Sequence, residues 1–214
     1  FLRIPCVGGK VSFYNETSFG PIKPTPLIGV LGISDKTLTL IPPNSGDYLL
    51  IIGKTKDELG GSEYYEYIHK FIGGSCPTVD FKDSKINMLT VLSLIKNKLV
   101  KSVHDCSKGG VAIAISELSI FGNIGCDIDI EKLSSENGFS VEKLLFSESH
   151  SRYLLVVDKK NINQVKRFLL KRKSAFGILG KFLGDQIQFK HKSKYLVKFT
   201  VDIAQKKYFN ALEE

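Results

Sequence analysis

Tyr48-Leu49-Leu50-Ile51-Ile52 runs apolar without alternation, directly behind the breaker Pro42-Pro43-Asn44-Ser45-Gly46. A strand with one wet face alternates apolar and polar residues, whereas an unbroken run suits a strand buried in a core. The prolines and glycine stop whatever precedes them. The run therefore opens a new unit, with a subdomain expected to end within 1–45 and an α/β subdomain expected over 46–214. The 214 residues, 43% of them hydrophobic, can bury one good core, or one core and a piece of another.

Beyond the boundary the hydrophobic periods alternate. Ser62 reads as an N-cap, with Tyr64, Ile68, Phe71 and Ile72 on one helical face and Gly73-Gly74 as the stop. A second helix is expected over 82–97 with Met88, Leu89, Leu92 and Ile95 on its core side. A strand over 100–104 feeds a turn over 105–110, and a third helix follows with Val111, Ile115, Leu118 and Phe121 on one face and Gly122 as its end. Strands are expected over 125–130 and 152–157, with a short amphipathic turn near 140–145 between them. Ile162, Val165, Phe168 and Leu169 mark a helix ending near Lys173, 195–199 a late strand, and Ile203, Ala204, Tyr208, Ala211 and Leu212 a last helix from about Val201. Before the boundary, strands are expected over 4–7, 27–33 and 37–40, punctuated by Pro21, Pro24 and Pro26. The mixture is α/β or α+β, and the pattern alone leaves the sheet polarity open.

The net charge of +8 raises nucleic-acid binding as a function class. Basic residues cluster at Lys159-Lys160, Lys166-Arg167, Lys171-Arg172-Lys173 and 190–194. Only Arg3, Arg152, Arg167 and Arg172 are arginines, the better fork for phosphate and base. A solvated, lysine-rich surface is therefore the favoured reading over nucleic acid. Cys6, Cys76, Cys106 and Cys126 form no Cys-x-x-Cys pair, and His69, His104, His150 and His191 are scattered, so neither type shows metal-ligand spacing. No run of apolar residues is long enough for a membrane span, and the expected compartment is the cytosol.

Gly8-Gly9-Lys10-Val11-Ser12-Phe13-Tyr14-Asn15-Glu16-Thr17 follows the apolar stretch 4–7. Paired glycines and a serine let backbone amides approach a phosphate, although a glycine pair by itself more often only turns the chain. Further segments stand in order behind it: Pro24-Thr25-Pro26-Leu27-Ile28-Gly29-Val30, Glu58-Leu59-Gly60-Gly61-Ser62-Glu63-Tyr64, His104-Asp105-Cys106-Ser107-Lys108-Gly109-Gly110, and Leu145-Phe146-Ser147-Glu148-Ser149 with Arg152. Collinear over most of the chain, they resemble the phosphoribosylformylglycinamidine synthase family, the ATP-dependent amidoligases of purine biosynthesis.

The resemblance implies the C-terminal α/β subdomain of the aminoimidazole ribonucleotide synthetase-like superfamily. It would have a mixed or antiparallel sheet with packed helices, preceded by the end of a nucleotide-binding-type subdomain. Complete members have two homologous halves, and these motifs belong to the end of the second. A chain that starts at Phe1 and has Met88 as its sole methionine reads accordingly as a piece of a longer protein. The implied reaction activates the amide oxygen of formylglycinamide ribonucleotide with ATP and Mg2+, and ammonia derived from glutamine displaces the phosphate. Implied partners are the N-terminal part of the same protein, a glutaminase subunit, a small bridging subunit and the nucleotide substrate. The family's catalytic histidine and main magnesium carboxylates lie in the other half, so no catalytic residue is expected here. Another ATP-using member of the superfamily and a non-catalytic basic phosphate- or nucleic-acid-binding module are the alternatives.

Gly8, Gly9, Lys10 and Ser12 are the expected nucleotide or phosphate contacts, the competing role being a plain turn. Lys10 stands where most short-form members offer magnesium an asparagine oxygen, and an ammonium has no lone pair to give. A unit charge about 4 Å from a cation is opposed by about 4 kcal/mol per charge at an effective dielectric near 20. The long single-chain form also has lysine here but follows it with an aspartate, where this chain has Val11. Lys10 is thus expected to neutralise phosphate or take the metal's place, with no metal ligand in the motif. Asn15 and Glu16 rank as surrounding groups; Glu16 either holds a metal through water or shapes the turn. His104, Asp105, Ser107, Gly109 and Gly110 form a strand-turn-helix whose amides favour an anion, with Lys108 in place of the usual acid. Neighbours on a strand point to opposite faces, which favours a hydrogen-bonded His104 over a His104-Asp105 acid-base pair. Glu148, Ser149 and Arg152 border the auxiliary site by pseudosymmetry, or else Glu148 and Arg152 form a structural ion pair.

Overall fold

The computed structural model describes residues 3–22, 25–34, 40–136 and 138–211. The chain divides into two compact units, 1–39 and 40–214. In the first, the described residues pair only in a short antiparallel ladder, β1 (Glu16–Thr17) against β2 (Gly20–Pro21). The Thr17 hydroxyl tightens the turn, accepting from Phe19 N–H and donating to the Gly20 carbonyl. The strands expected over 4–7 and 27–33 are not formed. A strand exists by virtue of its ladder partner, and Val7, Leu27, Leu31 and Ile33 have none, each standing at least 95% exposed. Most of the strand expected over 37–40 lies outside the described residues, as do Pro24 and Leu212.

The second unit is built around the apolar run, which forms β3 (Tyr48–Ile52). The chain continues through α1 (Glu63–His69), α2 (Phe81–Lys96), β4 (Ser102–Asp105), α3 (Gly110–Gly122), β5 (Cys126–Asp129), α4 (Val141–Phe146) and β6 (Tyr153–Val157). It closes with α5 (Ile162–Arg172), β7 (Phe176–Phe182), β8 (Gln186–His191), β9 (Lys194–Thr200) and α6 (Val201–Phe209). The seven strands lie in the order β4-β6-β3-β7-β5-β8-β9, antiparallel throughout except for the parallel pair β5 and β8. The sheet is mixed, with helices packed on it, as the resemblance implied.

Both faces of β3 are covered, which is why its sequence does not alternate. Leu49 and Ile51 share one core with Leu154 and Val156 of β6, Val111, Ile115 and Leu118 of α3, and Leu144 and Leu145 of α4. Leu50 and Ile52 share the other with Leu155 and Val157 of β6, Val91 and Leu94 of α2, and Val165 and Leu169 of α5. Each fully buried aliphatic side chain contributes about 1.5–3 kcal/mol, so the central pair β3 and β6 anchors the unit.

Three helical expectations are corrected. The Ser62 cap is real, its hydroxyl accepting from Tyr65 N–H, but α1 stops at His69 because Lys70 turns left-handed, leaving Ile68, Phe71 and Ile72 more than half exposed. In α2 the buried face is Ser84, Asn87, Thr90, Val91 and Leu94, while Leu89 and Leu92 face solvent. Its first turns pack polar groups against other polar groups: Ser84 meets Ser151, the Asn87 amide donates to the Ser151 carbonyl, and Thr90 meets Ser174. Phe121, expected on the core face of α3, is 60% exposed, with its ring against Tyr208. Two strands of the seven-stranded sheet escaped the sequence pattern. In β7, Gly180 interrupts the apolar period because the Asp127 carbonyl of β5 presses where a side chain would start. In β8, Ile187 and Phe189 alternate with Gln188 and Lys190, a readable signal in a lysine-rich stretch.

Candidate functional site

The segment 147–152 crosses one end of the sheet, where β3 ends and β4 and β6 meet, and the side chains expected from the later motifs gather around it. Arg152 is 1% exposed. Its Nε donates to the Ser149 carbonyl, one terminal nitrogen to the Ser147 carbonyl and the other to Thr55 Oγ1. The guanidinium thereby folds the segment into a tight loop. The expected Glu148–Arg152 ion pair is not how either group is satisfied. Glu148 Oε1 instead accepts from the backbone N–H of Glu63, the first residue of α1, at 2.9 Å and from that of Gly109, the N-cap of α3, at 2.8 Å. A side-chain carboxylate thus takes an anion's place at the start of α3, where free amides and the helix dipole favour negative charge. Glu148→Ala is expected to destabilise the unit by about 1–2 kcal/mol, read as a lower urea midpoint with unchanged slope.

The helix start depends on geometry around Gly110, whose φ is +67° and whose missing side chain would lie 2.7 Å from both the Leu145 and Ser147 carbonyls. Lys108 reaches away to Glu63 Oε1 at 2.6 Å, an exposed pair that raises the lysine's pKa through its hydrogen bond to that carboxylate. His104 Nε2 lies 2.8 Å from Glu117 Oε2 of α3, while Asp105 is 3.9 Å from its other nitrogen and turned to solvent. Ser107 is exposed, and its carbonyl accepts from Gly110 N–H.

Ser149 accepts from Lys56 N–H at 3.0 Å, and Ser147 from Glu58 N–H at 3.4 Å, so the loop is tied to the segment following β3. Glu58 is a group whose partners the sequence did not reveal. Burial pushes its carboxyl up, but hydrogen bonds from Thr78 N–H, Ser149 and the Thr78 hydroxyl, with the Lys56 charge, hold it below its ordinary 4.5. A carboxyl depressed in the folded state adds stability above its unfolded pKa, and that stability is lost as pH falls through the folded value. The stability difference between the native chain and Glu58→Gln is therefore expected to be constant near neutrality and to shrink below about pH 4.5, followed by urea titrations at each pH.

Two clefts flank the loop and share His150 and Ser151. One, of about 460 Å³, is lined by Cys76, Asp105, Ser107, Lys108, Glu148 and Arg152 among others. The second, of about 270 Å³, lies against the polar start of α2 and includes Lys54, Asp83, Asn87, Lys173 and Ser174. The polar residues Ser84 and Asn87 could have marked this wall in the sequence, since their spacing follows a helical face.

In the first unit, Lys10, Ser12 and Asn15 line an open cleft with Val11, Ile22 and Thr25. Asn15 Nδ2 donates to the Ser12 carbonyl at 2.8 Å and the Asn15 carbonyl accepts from Ile22 N–H, which curls 12–22 into a loop. A side chain added at Gly8 or Gly9 would meet nothing within 4 Å, so both stand open to an approaching group. Glu16 is an exposed member of β1. No cluster of three or more His, Cys, Asp or Glu that could hold a metal occurs among the described residues, and the Lys10 ammonium has no lone pair to offer one. No helix among the described residues is long and apolar enough to cross a membrane.

Comparison with known proteins bears on this arrangement. The chain is 42% identical over 193 residues to the phosphoribosylformylglycinamidine synthase subunit PurL of Thermococcus sibiricus, a match that covers 89% of this chain and 26% of that protein. The structure of Thermotoga maritima PurL complexed with FGAR shares its fold, with a TM-score of 0.69 at 19% identity, covering 77% of this chain and 28% of the other. The same enzyme complexed with ATP gives a TM-score of 0.64 at 17% identity, over 77% of this chain and 26% of the other. The chain thus spans about a quarter of the length of the relatives it matches. Residues 44–191, which hold the seven-stranded sheet up to the end of β8 and the Glu148–Arg152 loop, match the family described as AIR synthase related protein, C-terminal domain, and the chain belongs to that family.

Proposed function

We propose that this chain is the C-terminal part of a cytosolic phosphoribosylformylglycinamidine synthase. Residues 46–214 would form its last α/β subdomain and 1–45 the end of a nucleotide-binding-type subdomain. The observation that carries the reading is the identity to PurL proteins along the chain, over 89% of it at 42% and over all of it at 37%. The whole protein converts formylglycinamide ribonucleotide to formylglycinamidine ribonucleotide. ATP activates the amide oxygen as a phosphate ester, and ammonia, delivered from glutamine by a glutaminase subunit with a small bridging subunit, displaces it.

Within that reaction this chain supplies scaffold and an auxiliary nucleotide site. Gly8 and Gly9 leave room for a phosphate, Ser12 donates a hydrogen bond to it, and Lys10 neutralises its charge in place of a metal. Asn15 and Glu16 shape that loop. His104, Asp105, Ser107, Gly109, Gly110, Glu148, Ser149 and Arg152 keep the motifs of the second unit in register. The bonds of His104, Glu148, Ser149 and Arg152 run to Glu117, Thr55 and backbone groups, while Asp105 and Ser107 face solvent, and the bonded set favours organisation over chemistry.

The test is an assay of the full-length protein with formylglycinamide ribonucleotide, ATP and ammonium, following ADP and the amidine product together. Stoichiometric formation of both is the expected result, and ATP hydrolysis without amidine would overturn the assignment. The chain by itself is expected to show no ammonia-dependent turnover in the same assay.

A further inference from the structure

The fold sorts charge in a way that the sequence conceals. α2 and α5 lie side by side on one face of the sheet, sharing the core under Leu50, Ile52, Leu155 and Val157. Residues 81–101 and 158–173, which hold these helices and their flanks, carry twelve Lys and Arg against Asp83 and Asp158, a net of +10 where the whole chain has +8. The rest of the chain is therefore slightly acidic. On the opposite face, α3 carries only Glu117 and α4 balances Glu142 against Lys143.

Helix-end electrostatics accounts for a part of this face, because Lys96 closes α2 and Lys171 and Arg172 close α5. It does not account for Lys82 and Lys85 in the first turns of α2, Lys159 and Lys160 before α5, or Lys166 and Arg167 in its middle. All of these side chains are exposed. Two of the chain's four arginines, Arg167 and Arg172, fall here. Arg172 lies over the Phe168 ring at 5.3 Å, which holds its guanidinium flat on the surface. A shallow cleft of about 320 Å³ has Leu99 and Phe168 in its lining with Asn97, Gln164, Arg167 and Lys171, whose amide and cationic donors suit phosphate oxygens.

We propose that the α2–α5 face binds the phosphate backbone of a nucleic-acid duplex without reading its sequence. Protein interfaces are depleted in lysine at their centres, whereas backbone binding rests on exposed lysine and arginine. Single strands are held by stacked aromatic rings, and on this face Phe168 is half-buried beneath Arg172, leaving Phe81 at the first residue of α2 as the exposed ring. The 16 residues of α2 extend about 24 Å, the length of about seven base pairs of duplex.

The experiment is fluorescence polarisation with the full chain and labelled DNA and RNA duplexes of about 20 base pairs, across a salt series centred on about 0.15 M. Binding of either duplex is expected, with log affinity falling against log salt by about 0.9 per phosphate contacted. The triple charge reversal Lys166→Glu, Arg167→Glu and Lys171→Glu is expected to weaken binding at least about tenfold and to flatten the slope by about 2–3. Lys194→Glu, Lys198→Glu and Lys206→Glu, on β9 and α6, should change it by less than about threefold. All six side chains are exposed, and matching thermal midpoints will show that both variants fold. Equal losses in the two variants, no binding at about 0.15 M salt, or tighter binding of polyglutamate than of duplex would each overturn the proposal.

Discussion

Arg152→Ala is expected to destabilise the second unit by about 3–5 kcal/mol, seen as a fall in the urea midpoint of the full chain with little change in slope. The guanidinium is almost wholly buried, and no carboxylate among the described residues pairs with it; its donors go to the Ser147 and Ser149 carbonyls and to Thr55 Oγ1. Burial alone would disfavour such a cation, and it does lower the arginine's pKa, although the nearby Cys106, Glu58 and Glu148 act in the opposite direction. Truncation leaves acceptors unpartnered in a dry site and opens a cavity beside Gly53, whose missing side chain would lie 3.0 Å from the Arg152 chain. Arg152→Lys should recover only a minor part of the loss, because an ammonium cannot reproduce a planar fork aimed at three oxygens. Full recovery with lysine would mean that the charge, not the fork, holds the loop.

Gly110→Ala is expected to cost about 3 kcal/mol, combining a left-handed backbone of about 1 kcal/mol with overpacking of about 1–3 kcal/mol. The added methyl would press on the Leu145 and Ser147 carbonyls, both backbone atoms with no rotamer to yield. The displacement would run through Ser147 into the Arg152 loop and away from the Glu148 contact with Gly109 N–H. Gly61→Ala serves as a control, since φ there is +67° as well but nothing lies within 4 Å of the added carbon. The two variants should differ in thermal midpoint by the overpacking component alone. Equal midpoints would show that the α3 start tolerates the methyl.

The second unit was legible wherever one periodicity dominated. The unbroken run at Tyr48–Ile52 announced a strand covered on both faces, and Ile162, Val165 and Leu169 announced α5. Legibility failed where tertiary contact overrode local pattern. The sequence of α2 offers Leu89 and Leu92 to a core, yet the fold buries Ser84, Asn87 and Thr90 because polar partners at Ser151 and Ser174 wait on that side. β7 was hidden by Gly180, a residue that only the press of β5 explains. In the first unit the apolar stretches were read correctly as apolar and wrongly as strands, since pairing is a property of two segments. At the candidate site, the motif positions came from the sequence, but the partnership did not. Glu148 and Arg152 stand four residues apart and were natural partners by charge, and the structure sends Glu148 to backbone amides and Arg152 to two carbonyls and Thr55 Oγ1 instead.

The proposed nucleotide role requires a phosphate-facing loop in which Lys10 would stand in for a metal ligand. Calorimetric titration of ADP into the full chain, once with magnesium and once with EDTA, tests this most directly. The account predicts dissociation constants within about twofold of each other, and about tenfold weaker binding for Lys10→Ala in both conditions, a loss of about 1.4 kcal/mol. Binding that appears only with magnesium, and is indifferent to Lys10, would contradict it.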